Sequence, residues 1–286
     1  MPKVSAAPRR MQKPKLGQHF LADQSAALRI VDALGDISQC TVLEIGPGNG
    51  ALTSLLSRRA RRLITIETDR VLAAQLRMKF ALTANVENIE GDILAIDFDA
   101  IFGPKPGTTR PGMNHLPEQV RVVGNLPYFL TSEILLRLFA YRKYFESIVV
   151  MVQREVADRL AAKPGNAEYG LLSATAQLYA QVEKLFTLSP DSFTPPPKVY
   201  STVVRLMLAP RVEELGVPEA PFIEFLKKSF GQKRKTLWNN LKTEYEPSLL
   251  RAALERSKVK ATVRAEALSL DENAALFRAL HDGTRK

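Results

Sequence analysis

Residues 41–50, Thr-Val-Leu-Glu-Ile-Gly-Pro-Gly-Asn-Gly, join an apolar β pattern to a turn that holds three glycines. Thr41–Ile45 is predicted to be a buried strand, and residues 51–60 are predicted to form the helix that follows. Glycine lets the backbone turn tightly and approach a bound ligand closely. This strand–turn–helix unit predicts an α/β fold with a cofactor bound at the turn.

The glycine turn fits two kinds of cofactor site. The Gly-x-Gly-x-x-Ala pattern that starts at Gly46 matches the dinucleotide fingerprint, and Glu67 follows at about the expected distance. An acid at this place binds ribose hydroxyls in either kind of site, so Glu67 does not discriminate. Glu44 before the glycines and Gly50 as a third glycine favour S-adenosylmethionine (SAM).

Asp92 ends the third predicted strand within Gly91-Asp92-Ile93-Leu94. There it could meet the adenine amino group of the cofactor. The alternative interpretation is a turn former or helix cap, which is the commoner use of Gly-Asp.

Helical patterns alternate with short β-rich runs from about residue 23, which is typical of an α/β sheet. Asp23 is predicted to cap the first helix, and Arg70–Lys79 and residues 132–144 are the clearest later helices. Residues 189–200 join the last two strands without a helix, so we expect an antiparallel hairpin at the sheet edge. The predicted strands are Thr41–Ile45, 63–67, Val86–Glu90, 120–124, 147–152, 182–188 and Ser201–Leu208.

Two segments depart from this alternation. Residues 103–118 hold three glycines and four prolines, which predicts an inserted surface loop. After Pro210 the β pattern stops, so we expect a main domain over residues 1–209 and a small helical domain over residues 210–286. The helices predicted there are 221–230, 235–241, Pro247–Arg256 and 272–280.

Charge and composition point to a polyanionic partner. The net charge is +10, with +5 in residues 1–20 and +4 in residues 210–286. Basic ends of this kind favour nucleic acid as the partner. The single cysteine, Cys40, and the lack of a signal or membrane-spanning run predict a cytoplasmic protein with no membrane association. With three histidines and one cysteine, no metal site is expected.

Asn125-Leu126-Pro127-Tyr128 follows the predicted strand 120–124. This segment places a side-chain amide, two backbone carbonyls of fixed direction and an aromatic ring at the end of one strand. Pro127 has a fixed φ and pushes Leu126 toward extended geometry, so the carbonyls are held in direction. These groups suit methylation of an exocyclic amine on a flat base. The alternative interpretation is an ordinary strand-ending turn with a core tyrosine.

With these motifs assembled, the chain resembles the ribosomal RNA adenine dimethyltransferases, specifically the bacterial small-subunit enzymes. The resemblance implies a Rossmann-like class I SAM-dependent methyltransferase domain followed by a small helical domain. It implies transfer of four methyl groups from SAM to N6 of two adjacent adenosines in the loop of the 3′-terminal helix of 16S rRNA. Further segments that carry it are 18–21, 153–160, 163–165, 169–170, 192–199, Phe230 and 233–237.

The same resemblance implies roles for individual residues in the cofactor site. His19 stands where the family commonly has asparagine, so its contact could come from the backbone or the imidazole. Tyr200 stands where aspartate is usual, which leaves the side-chain role at that position open. The implied cofactor-binding residues are His19, Leu21, Gly46, Gly48, Glu67, Asp92 and Asn125.

The implied catalytic residues surround the target base. The Asn125 side-chain oxygen and the Leu126 carbonyl would accept the two N6–H bonds, with Pro127 fixing their direction. Tyr128 would stack on one face of a flipped-out adenine, and Phe193 would contact the opposite face. For Phe193 the alternative interpretation is a residue packed under the proline-rich loop.

RNA contacts are expected from basic side chains at both ends of the chain, and the protein is expected to act as a monomer. Two other functions stay open: methylation of 23S rRNA adenine, as in antibiotic resistance, and a ribosome-assembly factor that acts mainly by binding. The candidate RNA-binding residues are Lys13, Lys15, Lys233, Arg234 and Lys235.

Overall fold

The computed structural model describes residues 18–103 and 120–282. Lys13, Lys15 and the inserted loop from residue 104 onward lie outside the described residues. The strands are β1 Phe20–Leu21, β2 Thr41–Ile45, β3 Arg62–Glu67, β4 Val86–Glu90, β5 Val120–Asn125, β6 Phe145–Gln153, β7 Ala180–Leu188, β8 Phe193–Thr194 and β9 Ser201–Leu208. The α-helices are α1 Gln24–Asp32, α2 Thr53–Leu56, α3 Arg70–Lys79, α4 Phe98–Phe102, α5 Thr131–Ala140, α6 Arg154–Leu160, α7 Leu171–Tyr179, α8 Glu219–Ser229, α9 Leu237–Leu241, α10 Pro247–Arg256 and α11 Leu270–Asp282.

Seven strands form one sheet in the order β4-β3-β2-β5-β6-β9-β7. The neighbours from β4 to β6 pair in parallel, which confirms the predicted α/β class. The predicted antiparallel hairpin is also confirmed, with β7 at the sheet edge and β9 inserted between β6 and β7. The separate pair of β1 and β8 was not predicted, because two-residue strands carry no periodicity.

Both faces of the sheet are covered, as the buried central strands require. Successive side chains of a strand point to opposite faces. Accordingly Leu43 of β2 lies in a hydrophobic cluster with α5, α7 and the C-terminal helices, and Val42 lies in a second cluster with α1 and α2. The side chain of Asp23 caps α1 by accepting from the Ala26 N–H at 3.0 Å, as predicted.

The helices after residue 210 lie where the sequence predicts them. The cluster that contains Phe222 and Phe225 of α8 also contains Leu178 of α7, so the hydrophobic core is continuous across residue 210. The division at residues 209 and 210 stays a prediction. The predicted helix 51–60 is too long: α2 spans only Thr53–Leu56, with turns at residues 51–52 and 57–59. None of the helices within residues 18–103 and 120–282 is long and apolar enough to cross a bilayer.

Candidate active site

A cavity of about 420 Å³ opens at the carboxyl ends of β2, β3, β4 and β5. In the sheet, β2 lies between β3 and β5. The chain passes from β2 to β3 and β4 on one side, and then continues with β5 on the other side of β2. The strand order therefore reverses at β2, and ligands of such sheets usually bind at this point. The cavity brings together the glycine turn, Glu67, Asp92 and the Asn125–Tyr128 segment, with residues 18–21 closing one side.

The glycine turn lies directly against the tip of β5. Gly46 has φ +65°, and a Cβ at this residue would stand 3.6 Å from the Asn125 carbonyl oxygen. Gly48 has φ +55°, and a Cβ there would stand 2.9 Å from Cδ1 of Phe20. A side chain at Gly48 would therefore combine left-handed backbone with a steric clash, so glycine is required.

Glu67 at the end of β3 fixes the glycine turn. Its side chain is buried, and its two carboxylate oxygens accept hydrogen bonds from the Gly48 and Asp69 N–H groups, both at 3.0 Å. A carboxylate oxygen has two lone pairs, so each retains capacity for a ribose hydroxyl. The sequence predicted the ribose contact but not the support of the turn.

Glu44 is the penultimate residue of the buried strand β2 and also lines the cavity. Burial raises the pKa of its carboxyl to about 7, and the charge of Glu67 adds to this although a hydrogen bond from Thr53 opposes it. The Thr53 hydroxyl donates to Glu44 at 2.7 Å. Sequence reasoning missed Thr53, since no motif relates a helix residue to a strand residue at this spacing.

Asp92 stabilises the turn after β4 and also lines the cavity. One carboxylate oxygen accepts from the Leu94 N–H at 2.9 Å, and its backbone carbonyl accepts from Ala95 and Ile96. The turn-forming interpretation therefore describes part of its role. Asp92 is exposed and lines the cavity, where its second oxygen accepts nothing from the described residues.

Two hydrogen-bond acceptors at the tip of β5 have no partner within residues 18–103 and 120–282. The side-chain Nδ2 of Asn125 donates to the His19 backbone carbonyl at 2.9 Å. This bond assigns the other end of the amide, Oδ1, as an acceptor beside the cavity. The Leu126 carbonyl is likewise unbonded, whereas the next carbonyl, of Pro127, accepts from the Leu130 N–H at 3.0 Å.

Tyr128 lies half-buried at the same edge. Its hydroxyl shares a 2.7 Å hydrogen bond with the Ser201 hydroxyl, and burial raises the pKa of the phenol. The His19 ring faces the Tyr128 ring, with centroids 6.0 Å apart and planes 25° apart. The His19 Nδ1 donates to the Pro195 carbonyl at 2.7 Å. Sequence reasoning missed Ser201, which begins β9 far along the chain.

The structure does not place Phe193 where the sequence analysis expects it. Phe193 is 3% exposed, belongs to the cluster that includes Met151 and Val203, and is not among the described residues that line the cavity. The cause is the pairing of β8 with β1, which sets Phe193 opposite Leu21 and turns its ring into the core. This arrangement favours the alternative interpretation, a side chain packed under the proline-rich loop.

The basic residues at and after the end of α8 differ in their surroundings. Lys227 and Lys228 pair with Glu224 and Glu244, each at 2.7 Å. Lys233, Arg234 and Lys235 are exposed and form no ion pair within the described part of the chain, although Lys233 donates to the Ala167 carbonyl at 2.5 Å.

Tyr200 is not among the described cavity residues; its ring lies under the Arg154 guanidinium at 5.0 Å.

Residues 9–282 match the family model described as ribosomal RNA adenine dimethylase. The chain belongs to this family. It is 53% identical over 285 residues to "Ribosomal RNA small subunit methyltransferase A" of Koribacter versatilis, which covers 99% of this chain and 100% of the relative. As a family member it is a SAM-dependent rRNA adenine dimethyltransferase.

Solved structures share the fold. A dimethyladenosine transferase from Plasmodium falciparum superposes with a TM-score of 0.71 at 25% identity, covering 90% of this chain and 96% of the other. The 23S rRNA methyltransferase ErmE superposes with a TM-score of 0.67 at 24% identity, covering 92% and 99% of the two chains. The second likeness is one of fold alone.

The residues of the cavity fit SAM, the co-substrate of this family. The volume of about 420 Å³ lies in the range of small-molecule sites. Gly46 and Gly48 leave room for close backbone approach, Glu67 retains acceptor capacity for hydroxyls, and Asp92 offers an unbonded oxygen. No cluster of His, Cys, Asp and Glu within the described residues could hold a metal ion.

Proposed function

We propose that the protein transfers methyl groups from SAM to N6 of two adjacent adenosines in the loop of the 3′-terminal helix of 16S rRNA. Dimethylation of each adenosine would serve biogenesis of the small ribosomal subunit in the cytoplasm. The observation that carries this proposal is the pair of unbonded acceptors, Asn125 Oδ1 and the Leu126 carbonyl, beside the glycine turn. Similarity to relatives named as small-subunit ribosomal RNA methyltransferases supports the small subunit as the target.

The two acceptors solve a specific chemical problem. The N6 lone pair of adenine is delocalised into the ring, which makes the amine a poor nucleophile. If Asn125 Oδ1 and the Leu126 carbonyl each accept one N6–H, the nitrogen becomes pyramidal and its lone pair is directed into the cavity. SAM, when bound, supplies an electrophilic methyl group. Catalysis then depends on positioning and on preorganised dipoles.

No residue is assigned as a general base. The N6 proton becomes acidic once the new N–C bond exists, and water can take it afterwards. The residues at the tip of β5 therefore need to hold protons in hydrogen bonds, not to remove them. A second methyl transfer to the same nitrogen uses the remaining N6–H, and one acceptor is then sufficient.

The target adenosine must leave its stack to reach the cavity. Tyr128 offers a half-buried ring for the extruded base, and its hydrogen bond to Ser201 fixes the ring position. We propose that the exposed segment Lys233-Arg234-Lys235, together with Lys13 and Lys15, contacts phosphates of the surrounding RNA. The helical domain 210–286 would then bind RNA while residues 1–209 carry the chemistry, in a monomer.

The test is methylation of isolated ribosomal subunits that lack these methyl groups. The protein is incubated with labelled SAM and either small or large subunits, and the RNA is digested to nucleosides and mapped by primer extension. The proposal predicts N6,N6-dimethyladenosine at two adjacent positions near the 3′ end of 16S rRNA. Label in 23S rRNA alone would identify a large-subunit enzyme, and binding without label would identify an assembly factor.

A further inference from the structure

An exposed arginine and an exposed tyrosine lie beside each other at the carboxyl edge of the sheet, close to the strand tip that carries Tyr128. Gln153 ends β6 opposite Ser201, the first residue of β9. Arg154 follows Gln153 and Tyr200 precedes Ser201, and the Arg154 N–H donates to the Tyr200 carbonyl at 3.0 Å. The backbone therefore holds Arg154 and Tyr200 next to each other.

The two side chains contact each other and leave surface for a partner. The Arg154 guanidinium carbon lies 5.0 Å from the centroid of the Tyr200 ring. Tyr200 is 47% exposed, and Arg154 is exposed as well. Within residues 18–103 and 120–282, the guanidinium forms no hydrogen bond and no ion pair, and the Tyr200 hydroxyl has no hydrogen-bond partner. A cation–π contact at such an exposed site stabilises a fold only slightly, so the charge and the ring are available to a ligand.

This pair adjoins the residue that holds Tyr128. The Tyr128 hydroxyl shares its 2.7 Å hydrogen bond with Ser201, and Tyr200 is the residue directly before Ser201, with Cα atoms about 3.8 Å apart. An RNA strand that places an adenine against Tyr128 therefore brings a neighbouring nucleotide within reach of Tyr200 and Arg154. Proteins bind unpaired bases by stacking on aromatic rings, and arginine donates to phosphate oxygens.

The residue type at position 200 affects the charge of this surface. The resemblance gives aspartate as the usual residue at this position. A carboxylate beside Arg154 could pair with its guanidinium and would repel a phosphate. Tyrosine instead adds a stacking surface and leaves the positive charge of Arg154 available.

We propose, on the basis of the proposed function, that Arg154 and Tyr200 bind an unpaired nucleotide next to the target adenosine. The base of this nucleotide stacks on the Tyr200 ring, and its phosphate binds the Arg154 guanidinium. The contact selects a loop over a paired stem, because a base inside a duplex is not free to stack on a side chain. Neither residue is among the described residues that line the cavity, so their role is in RNA binding and not in the chemical step.

Steady-state kinetics with small subunits that lack the methyl groups distinguish RNA binding from chemistry. Tyr200→Ala should raise the KM for subunits at least about fivefold, the smaller effect of one lost stacking contact. Its kcat should change by less than about threefold. Tyr200→Phe keeps the ring and should resemble the wild type in both values. A lower kcat with an unchanged KM for Tyr200→Ala would contradict the inference.

The salt dependence of binding tests the phosphate contact. Arg154→Gln should reduce the magnitude of the slope of log K against log salt by about 0.7, the value for one phosphate contact on a single strand. Lys143→Gln is the matched control: Lys143 lies over the Tyr144 ring at 4.8 Å and pairs with Asp99, at the opposite end of β6. This control makes the same change in net charge and should leave the slope unchanged. Equal slopes for the two variants would show that Arg154 makes no phosphate contact.

Removal of the base tests the stacking contact most sharply. RNA hairpins with the sequence of the target loop are made with one base missing, on either the 5′ or the 3′ side of the two target adenosines. Their Kd is measured without SAM for the wild type and for Tyr200→Ala. At one of the two sites, the missing base should weaken binding to the wild type at least about fivefold and to Tyr200→Ala less than about twofold, because that variant already lacks the contact.

Equal effects of base removal on the two proteins at both sites would overturn the inference. Failure of the proposed function is read separately, from the absence of dimethyladenosine when the wild-type protein is incubated with small subunits and SAM. The two failures are distinguishable because the effect of the missing base is measured without methyl transfer.

Discussion

The side-chain amide of Asn125 donates a hydrogen bond to the backbone carbonyl of His19 at 2.9 Å. The bond joins the tip of β5 to a segment 106 positions earlier in the chain. Because Nδ2 is committed to this bond, Oδ1 is left as an acceptor beside the cavity. In the proposed mechanism, the N-terminal segment orients this acceptor through its backbone, in addition to lining the cavity.

Two replacements of Tyr128 should distinguish the contribution of its ring to methyl transfer from that of its hydroxyl. Tyr128→Phe loses the bond to Ser201 but keeps the stacking surface, so single-turnover methyl transfer should fall by less than about tenfold. Tyr128→Ala should lower it by about 5- to 150-fold more, because stacking on one base contributes about 1–3 kcal/mol. Equal single-turnover rates for the two variants would show that stacking on Tyr128 does not contribute to methyl transfer.

Replacement of Gly48 should weaken cofactor binding. An alanine Cβ would meet the Phe20 ring at 2.9 Å, so the turn must shift, and we expect the Kd for SAM to rise at least about tenfold. Gly216→Ala is the matched control, since Gly216 also has positive φ (+62°) but nothing within 4 Å of an added Cβ. That variant should lose about 1–2 kcal/mol of stability and bind SAM normally. Equal SAM affinity in the two variants would contradict the role given to the turn.

The buried Glu44 should make stability depend on pH. Its folded-state pKa of about 7 lies above its ordinary value of 4.5, so the folded state holds the proton more tightly than the unfolded state. The resulting stabilisation is complete below pH 4.5 and is lost as the pH rises through about 7, with a total of about 3 kcal/mol. Glu44→Gln stays neutral and can still accept from Thr53, so its unfolding free energy should fall less than that of the wild type between pH 5 and pH 8. Denaturant unfolding at several pH values measures the difference, and parallel curves for the two proteins would show that Glu44 is charged throughout.

Charge reversal at the exposed basic segment should weaken RNA binding and leave SAM binding unchanged. Lys233→Glu combined with Arg234→Glu removes two cations that form no ion pair among the described residues. The magnitude of the slope of log K against log salt should decrease by about 0.7–0.9 for each phosphate contact that is lost. A control with the same change in net charge is Arg58→Glu combined with Lys260→Glu, both exposed elsewhere. If both double variants lose affinity equally, the segment acts through net charge and is not a binding surface.

Local features of the fold were predictable from the sequence, and distant contacts were not. The β2 strand, the glycine turn and the Asp23 cap follow from neighbouring residues, because periodicity, positive φ and capping act over a few positions. The bond between Tyr128 and Ser201 joins residues 73 positions apart, and no sequence pattern encodes it. Phe193 shows the consequence: the family resemblance implied a base contact, whereas the pairing of β8 with β1 turns the ring into the core.

Paired measurements on Asn125→Ala test the central claim, that acceptors at the tip of β5 orient the amine, most directly. The variant keeps the glycine turn and Glu67, so SAM binding should remain measurable, and methyl transfer is compared at saturating SAM. Single-turnover methyl transfer to small subunits should fall by about 10²- to 10³-fold, as expected for loss of a preorganised hydrogen-bond group. Asn88→Ala is the control, since this amide lies on β4, is not among the described cavity residues, and should leave transfer unchanged. Near-normal transfer by Asn125→Ala with intact SAM binding would contradict the claim.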